Sequence, residues 1–243
     1  MPFYIGERMK IAIFSDIHGN VPALRAILQD IQKEKVDKTI FLGDAIAIGP
    51  KPKECLDMLL NSDIIFLPGN HELYYCIGPH IDGSMEDEEW EHQTWIVGEL
   101  AGMYKEHLKS LPIIQTIESD GKTYSFSHFI PARERGLFPF EKLQTAKENG
   151  AEMYIDFQDS DYLFVGHEHR PFVATKDNKH IVDVGSSGCT KDDKTHYTIF
   201  DTKTNSIQTK NLTYDRAQFE KDIMETDYPD KSFLTKIFFG IEV

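Results

Sequence analysis

Five short polar motifs, each directly after an apolar run, hold the residues of this chain that could do chemistry. The residues are Asp16 and His18 in FSDIHGN, Asp44 in LGDA, Asn70 and His71 in PGNHE, His128 in FSHF, and His167 and His169 in GHEH. Oxygen and imidazole donors without thiolate favour metals such as Mn, Fe, Zn and Co. The D-x-H and G-D motifs alone are weak signals and GNHE and GHEH are moderately specific, but five such motifs at the ends of apolar runs together indicate a metal site.

The residue types and spacing suit two neighbouring metal ions. Such a pair, about 3.5–4 Å apart, requires a bridging carboxylate and donors that arrive from several directions. In an extended segment alternate side chains share a face, so both members of the D-x-H and H-x-H pairs should point the same way. Glycines beside the candidate ligands let the backbone turn sharply.

Apolar runs too short for helices predict the strands that position these motifs. They span residues 11–14, 40–42, 64–67, 124–126 and 162–165. Helices are predicted at 20–35 and 53–60, and Asn20 and Pro22 suit the N-terminus of the first. The alternation of strand and helix predicts βαβ units with a parallel sheet, and sites form beyond the carboxyl ends of such strands.

The remainder of the chain is predicted to combine helices with antiparallel strands. Residues 86–110 read as helical, with Trp90 and Trp95 in the core beside Ile96 and Leu100. Strands at 181–184, 197–200 and 207–212, joined by short turns, predict an antiparallel meander. We expect one domain over residues 1–243, with an N-terminal extension (1–9) and a C-terminal tail (215–243), helical at both ends, packed on the domain.

The charge of the chain limits its partners. The 243 residues include 26 basic and 40 acidic side chains, which give a formal net charge of −14. Long nucleic acid is not an expected partner, because binding to phosphate backbones depends on Lys and Arg. An acidic protein that handles phosphates needs local positive charge, and bound metal ions can supply it.

Two further sequence features bear on the compartment. There is no apolar span near 20 residues and no signal-peptide pattern, so we expect no membrane partner and a cytoplasmic location. Cys55, Cys76 and Cys189 are scattered and odd in number, which predicts free thiols in a reducing compartment.

Taken in order, the five motifs resemble those of the calcineurin-like metallophosphoesterase superfamily. GDAIAIGPKPKECLDML further resembles the compact prokaryotic branch, and GHEHRPF, DVGSSG and YTIFD continue the likeness toward the C-terminus. The resemblance covers nearly the whole chain. It implies an α/β fold, a four-layer α/β/β/α sandwich in which two mixed β-sheets face each other with helices outside.

The resemblance also implies a role for each motif residue. It gives two sets of metal ligands with one carboxylate bridging both: Asp16, His18 and His169; Asn70, His128 and His167; and Asp44 as the bridge. The two ions, divalent or trivalent, would be Mn, Fe, Zn, Co or Ni, and a hydroxide that bridges them would attack phosphorus in line. His71 would protonate the leaving oxygen or stabilise the transition state. Glu72 would either orient His71 or lie on the surface.

Some positions depart from the family pattern and bear on the substrate. Ala47 and Ile48 stand where Gly and an aromatic residue are frequent, and Glu168 stands where Thr is common. Because Ile48 also occupies the place of an Arg in the protein Ser/Thr phosphatases, that activity is less expected. Arg133 and Arg170 are candidate substrate-binding residues.

The expected function is hydrolysis of a small phosphate monoester or diester, with nucleotides and dinucleoside polyphosphates among the possible substrates. One alternative is a metal-binding scaffold of the same fold without turnover, although relatives of that kind tend to lack the histidine that this chain keeps as His71. A nuclease is a further alternative, against which the net charge argues. The sequence does not indicate the oligomeric state.

Overall fold

Two β-sheets face each other in the computed structural model, which describes residues 5–6, 8–78, 87–129 and 159–243. The strands are β1 (Ile5–Gly6), β2 (Lys10–Phe14), β3 (Lys38–Phe41), β4 (Ile65–Phe66), β5 (Ile114–Ser119), β6 (Lys122–Ser127), β7 (Tyr162–Val165), β8 (Phe172–Lys176), β9 (Lys179–Asp183), β10 (Lys194–Asp201) and β11 (Ser206–Thr213). All five predicted strands of the first two-thirds are present. β1, β5 and β8 are strands that the sequence did not indicate.

Both sheets are mixed. In the first sheet the strand order is β11-β10-β2-β3-β4, with β2, β3 and β4 parallel and β10 antiparallel to both neighbours. In the second sheet the order is β1-β5-β6-β7-β9-β8, with β6, β7 and β9 parallel. The predicted α/β sandwich with two mixed sheets is confirmed.

The described helices largely follow the predicted positions. They are α1 (Val21–Ile31), α2 (Pro52–Leu60), α3 (Asn70–Ile77), α4 (Asp87–Leu100), α5 (Lys105–Ser110), α6 (Arg216–Glu225) and α7 (Lys231–Leu234), and a π-helical turn (Thr235–Phe239) follows α7. The side chain of Asn20 caps α1 by accepting from the Ala23 N–H at 3.1 Å. The helix predicted over 86–110 is divided, because Ala101 and Gly102 take left-handed backbone (φ 45° and 76°).

The apolar core has two main parts, one on each face of the first sheet. Between the sheets, Ile13 and Ile40 pack with Phe126 and Phe164. On the outer face, the helices bury apolar side chains that include Ile96 and Leu100 of α4. Trp95 packs against this outer cluster, but the prediction that Trp90 lies in the core is wrong, since 36% of it is exposed. None of the described helices is long and apolar enough to cross a membrane.

The predicted C-terminal meander is wrong, because its strands belong to different sheets. β8 and β9 form a hairpin in the second sheet, closed by Asp177 and Asn178 in left-handed conformation. β10 and β11 form a hairpin in the first sheet. The segment 184–193 therefore crosses from one sheet to the other. Further on, the tail packs on the outer core through Phe219 and Ile223 of α6; the assignment of one domain stays a prediction.

Asp183, at the end of β9, is a buried carboxyl group that we expect to destabilise the metal-free protein at neutral pH. Burial raises its pKa from 3.8 to about 8, with Asp16 and Glu168 adding to the rise and the Gly185 N–H opposing it. Above pH 4 the unfolded chain ionises this group while the folded protein keeps the proton, so stability falls as the pH rises toward 8. Asp183→Asn removes this linkage.

We expect Asp183→Asn to raise the free energy of unfolding by on the order of 2–4 kcal/mol at pH 7 and by much less near pH 4. Urea unfolding of metal-free protein at both pH values measures the difference. Asp63→Asn, at an exposed position, is the control. A gain that does not depend on pH, or no gain, would contradict this account of Asp183.

Candidate metal centre

The structure brings all seven predicted metal ligands, and His71, to one place. Asp16 and His18 follow β2, Asp44 follows β3, and Asn70 and His71 open α3 after β4. The second sheet contributes the segment after β6, which carries His128, and the segment after β7, which carries His167 and His169. The site thus lies where the carboxyl ends of parallel strands from both sheets meet.

One group of donor atoms surrounds Asp16. Its Oδ1 lies 3.2 Å from Nε2 of His169 and 3.7 Å from Nε2 of His18, and the two imidazole Nε2 atoms are 3.1 Å apart. Asp16 is completely buried, yet this Oδ1 has no hydrogen-bond partner. A buried carboxylate oxygen left without a donor is costly unless a cation completes its environment.

A second group of donor atoms surrounds Asn70. Its Oδ1 lies 2.9 Å from Nδ1 of His167 and 3.2 Å from Nε2 of His128. Asp44 lies between the two groups, with Oδ2 3.2 Å from Nε2 of His128 and 3.8 Å from Nε2 of His18. Donor atoms bound to one ion at about 2.0–2.2 Å lie roughly 3 Å apart, so this spacing fits metal binding at both groups.

Backbone carbonyls orient two of the imidazoles. Nδ1 of His18 donates to the carbonyl of Ile46 at 3.1 Å, and Nδ1 of His128 donates to that of Leu42 at 3.0 Å. With Nδ1 bonded to the backbone, Nε2 faces the site as the atom that can bind a metal, which is the usual arrangement of a metal-binding histidine.

The electrostatics of the site keep its two carboxylates ionised. Burial alone would raise the pKa of Asp16 and of Asp44, but nearby histidines, His128 foremost, hold both values below the ordinary one. Reciprocally, burial would lower the pKa of His128, but Asp44 and Asp16 raise it to about 9. Two buried carboxylates that stay charged attract positive charge, which protonated His128 supplies in the metal-free site and which a metal ion can supply instead.

The ligands converge through unusual backbone conformations and not through strand alternation. Five of the seven have positive φ: Asp16 (55°), His18 (47°), Asp44 (59°), His167 (74°) and His169 (58°). The expectation that both pairs lie in extended segments is therefore wrong. Non-glycine residues rarely adopt this region, where each costs of order 1–3 kcal/mol, and such residues cluster at functional sites.

Glu72 holds the loop that carries Asp44. It is fully buried, and its carboxylate accepts from the backbone N–H groups of Asp44 (2.8 Å), Ala45 (2.9 Å) and Gly69 (2.8 Å). A surface position for Glu72 is therefore wrong, and within the described residues its carboxylate accepts hydrogen bonds from backbone N–H groups and not from the His71 ring. Close packing also requires Gly69, since a Cβ there would lie 2.1 Å from Oδ1 of Asp44.

Gln93 of α4 is the partner of His71, and it was not predicted from the sequence. Its side-chain amide donates to Nδ1 of His71 at 2.7 Å, which leaves the imidazole proton on Nε2, 4.0 Å from Oδ2 of Asp44. Burial lowers the pKa of His71 to about 3. The neutral imidazole therefore presents an N–H to the site.

The sequence of α4 contains a sign that Gln93 has a special role. His92 and Gln93 lie one turn before Ile96, so they interrupt the apolar stripe of α4 with polar groups. Both are buried, and Nε2 of His92 accepts from the Ile48 N–H at 2.8 Å. His92 thus has a structural role.

We expect Gln93→Leu to lower kcat about tenfold, because His71 loses the hydrogen bond that fixes its tautomer and ring orientation. The loss should be larger for alkyl phosphates than for aryl phosphates, whose leaving groups need less help. Gln93→Glu should restore little activity, because a carboxylate cannot donate to Nδ1 and favours the tautomer that has its proton there. An equal loss with every leaving group would instead indicate a general structural defect.

A cavity of about 500 Å³ opens onto these residues. Its lining includes Asp44, Asn70, His71, His167 and His169 from the site, together with Ile48, Glu168, Cys189, Lys191, Ile237 and Phe238. Arg170 is exposed and is not part of this lining. Arg133 lies outside the described residues. Lys191 is a cation at the cavity that was not predicted from the sequence.

Comparisons with known proteins identify the family and the fold of this chain. Residues 9–205 match the model of the calcineurin-like phosphoesterase superfamily domain. The chain is similar to the uncharacterized protein MJ0912 of Methanocaldococcus jannaschii, with 29% identity over 90% of this chain and 94% of that protein.

Solved structures show the same fold. One is the hypothetical protein PH1004 from Pyrococcus horikoshii OT3, with a TM-score of 0.79, 19% identity and coverage of 96% of this chain and 99% of that one. Another is a metallophosphoesterase from Sphaerobacter thermophilus, with a TM-score of 0.74, 24% identity and the same coverage. The family match over most of its length establishes that the chain belongs to the calcineurin-like phosphoesterase superfamily.

Proposed function

We propose that this protein is a phosphoesterase that uses two metal ions to hydrolyse small phosphate esters. The observation that carries the proposal is the position of Asp44, whose Oδ2 lies within 4 Å of histidine donors from both groups. A carboxylate between two donor sets is what a pair of adjacent ions requires. The family match supports the same reaction class.

When bound, the two ions would lower the pKa of the attacking water and neutralise charge on the phosphoryl oxygens. Asp16, His18 and His169 would hold one ion, Asn70, His128 and His167 the other, and Asp44 both. Glu72 keeps the Asp44 loop in place through three short backbone hydrogen bonds.

His71 acts on the substrate itself in this proposal. Its Nε2–H faces the same space as Oδ2 of Asp44, at 4.0 Å, so it can donate a hydrogen bond to a phosphoryl or leaving-group oxygen. The lowered pKa of His71 favours donation from the neutral ring while no substrate is bound. An anionic substrate would raise that pKa and allow proton transfer to the leaving oxygen.

The cavity supports a small substrate. Its volume of about 500 Å³ is within the range of small-molecule sites. Lys191 supplies positive charge for a phosphate, while Ile48, Ile237 and Phe238 offer an apolar wall for the organic group. Phosphate monoesters, diesters, nucleotides and dinucleoside polyphosphates all meet this description.

The test combines metal analysis with a substrate panel. Chelated protein is reconstituted with Mn, Fe, Zn, Co or Ni, and the bound metal is measured per chain. Each form is then assayed against aryl and alkyl monoesters, diesters, nucleotides and dinucleoside polyphosphates. We expect two ions per chain and turnover that chelation abolishes. Two bound ions with no turnover on any ester would contradict the proposal and favour a scaffold.

A further inference from the structure

Cys189 lies beside the donor atoms that surround Asp16. Its Sγ and one ring nitrogen each of His18 and His169 all lie within 4.8 Å of one another, close enough to hold one ion. A carboxylate oxygen also lies nearby: Oδ1 of Asp16 is buried without a hydrogen-bond partner, 3.2 Å from Nε2 of His169. The thiol and the two imidazoles therefore lie close enough to hold one ion, and the unpartnered oxygen of Asp16 lies beside the same two imidazoles.

The other two cysteines are in different surroundings. Cys55 is fully buried, and burial raises the pKa of its thiol well above the ordinary value. Burial likewise raises the pKa of Cys76 to about 11. Cys189 is only partly buried and lines the cavity, so among the three it alone is placed to reach a ligand there.

The backbone holds Cys189 in this position firmly. The Gly188 N–H donates to the carbonyl of Asp16 at 2.9 Å, and Nδ2 of Asn20 donates to the carbonyl of Gly188 at 2.9 Å. Oγ of Ser186 accepts from the Cys189 N–H and donates to the carbonyl of Asp16, each at 2.8 Å.

Close packing adds to these bonds. A Cβ at position 188 would lie 1.9 Å from the carbonyl oxygen of Ile17, so only glycine permits this approach. The loop that carries the thiol is thus fixed directly on the loop that carries Asp16 and His18.

We propose that the Cys189 thiolate is an additional ligand of the ion held by Asp16, His18 and His169. The inference rests on the metal centre of the proposed function. On binding, the S–H bond breaks, a sulfur–metal bond forms, and the proton leaves to solvent through the open cavity, as for other cysteine ligands.

A thiolate makes the two metal positions chemically unequal. Soft sulfur donors favour Zn, Co or Fe over Mn or Mg, whereas the group around Asn70 contains only oxygen and nitrogen donors. We therefore assign the more thiophilic ion of the pair to the position beside Cys189.

Cobalt substitution of the full-length protein tests this assignment by absorption spectroscopy. Visible d–d bands report Co²⁺ bound at either position, and a near-ultraviolet thiolate-to-cobalt charge-transfer band reports sulfur ligation. We expect both in the wild type, and the loss of only the charge-transfer band in Cys189→Ser. Cys76→Ser should keep both, since Cys76 belongs to none of the described donor groups and does not line the cavity.

Affinity provides a second measurement. Loss of a residue that only supports a metal ligand typically weakens metal binding about 10- to 100-fold. Loss of the direct ligand Cys189 should weaken Zn²⁺ binding by at least as much, and Mn²⁺ binding much less. Bound Zn²⁺ should also protect Cys189 from alkylation in the wild type, a readout that needs no variant. Visible bands without a charge-transfer band, with Cys189 still alkylated, would overturn the role of Cys189. Absence of all cobalt bands would instead overturn the metal centre.

Discussion

Replacing Asp44 by asparagine is expected to lower kcat/KM for a phosphate ester by about a thousandfold or more. Asparagine keeps an Oδ1 that can accept from the backbone N–H of His71, as Oδ1 of Asp44 does at 3.0 Å. It removes the negative charge at Oδ2, which lies between His128 and His18. The substitution therefore removes the negative charge of the bridging side chain but keeps the hydrogen bond that supports its loop.

Metal content and activity are measured together for this variant. We expect Asp44→Asn to bind fewer than two ions per chain, because a neutral amide is a poor bridge between two cations. Asp63→Asn is the matched control, since Asp63 is exposed and lies outside both donor groups. An Asp44→Asn variant that retains two ions and wild-type turnover would exclude Asp44 as the bridge.

Replacing His71 by glutamine is the second large effect, an expected loss in kcat of about 10²- to 10⁴-fold. The Nε2–H of His71 faces the site, whereas its Nδ1 is occupied by Gln93 at 2.7 Å. Loss of this donor should affect alkyl phosphates more than aryl phosphates, since an alkoxide leaves only with help from an acid or a hydrogen bond.

The metal content of His71→Gln distinguishes two roles for this histidine. We expect two ions per chain to be retained, because His71 contributes to neither of the predicted ligand sets. His18, Asp44 and His71 also lie close enough to hold an ion between them. Loss of one ion in His71→Gln, with His107→Gln unaffected as an exposed control, would make His71 a ligand and not a proton donor.

Much of the site could be predicted because its residues come directly after apolar strands. A buried strand such as β2 must be apolar, so the polar residues that end it are conspicuous, and parallel strands place those ends on one edge. Asp16, Asp44 and Asn70 follow three neighbouring parallel strands of the first sheet, so local pattern was enough to group them.

The roles of Gln93, Cys189 and Glu72 were not predicted, because no local sequence pattern indicates which residues they contact. Gln93 reaches His71 from a separate helix, and the loop of Cys189 is bonded to a segment about 170 residues earlier in the chain. Glu72 was visible in GNHE, but its role depends on backbone N–H groups of the loop after β3. Such contacts follow from how elements pack, which one sequence does not reveal.

The sequence by itself determined the donor types, their order and the strands that carry them, because burial and strand periodicity are properties of short segments. Tertiary structure alone decided that the ends of β6 and β7 meet those of β2 and β3 from a second sheet. It also decided that five ligands take left-handed backbone and that segment 184–193 brings a thiol to the same point. These features depend on the facing of two sheets and on long-range hydrogen bonds, which no local pattern encodes.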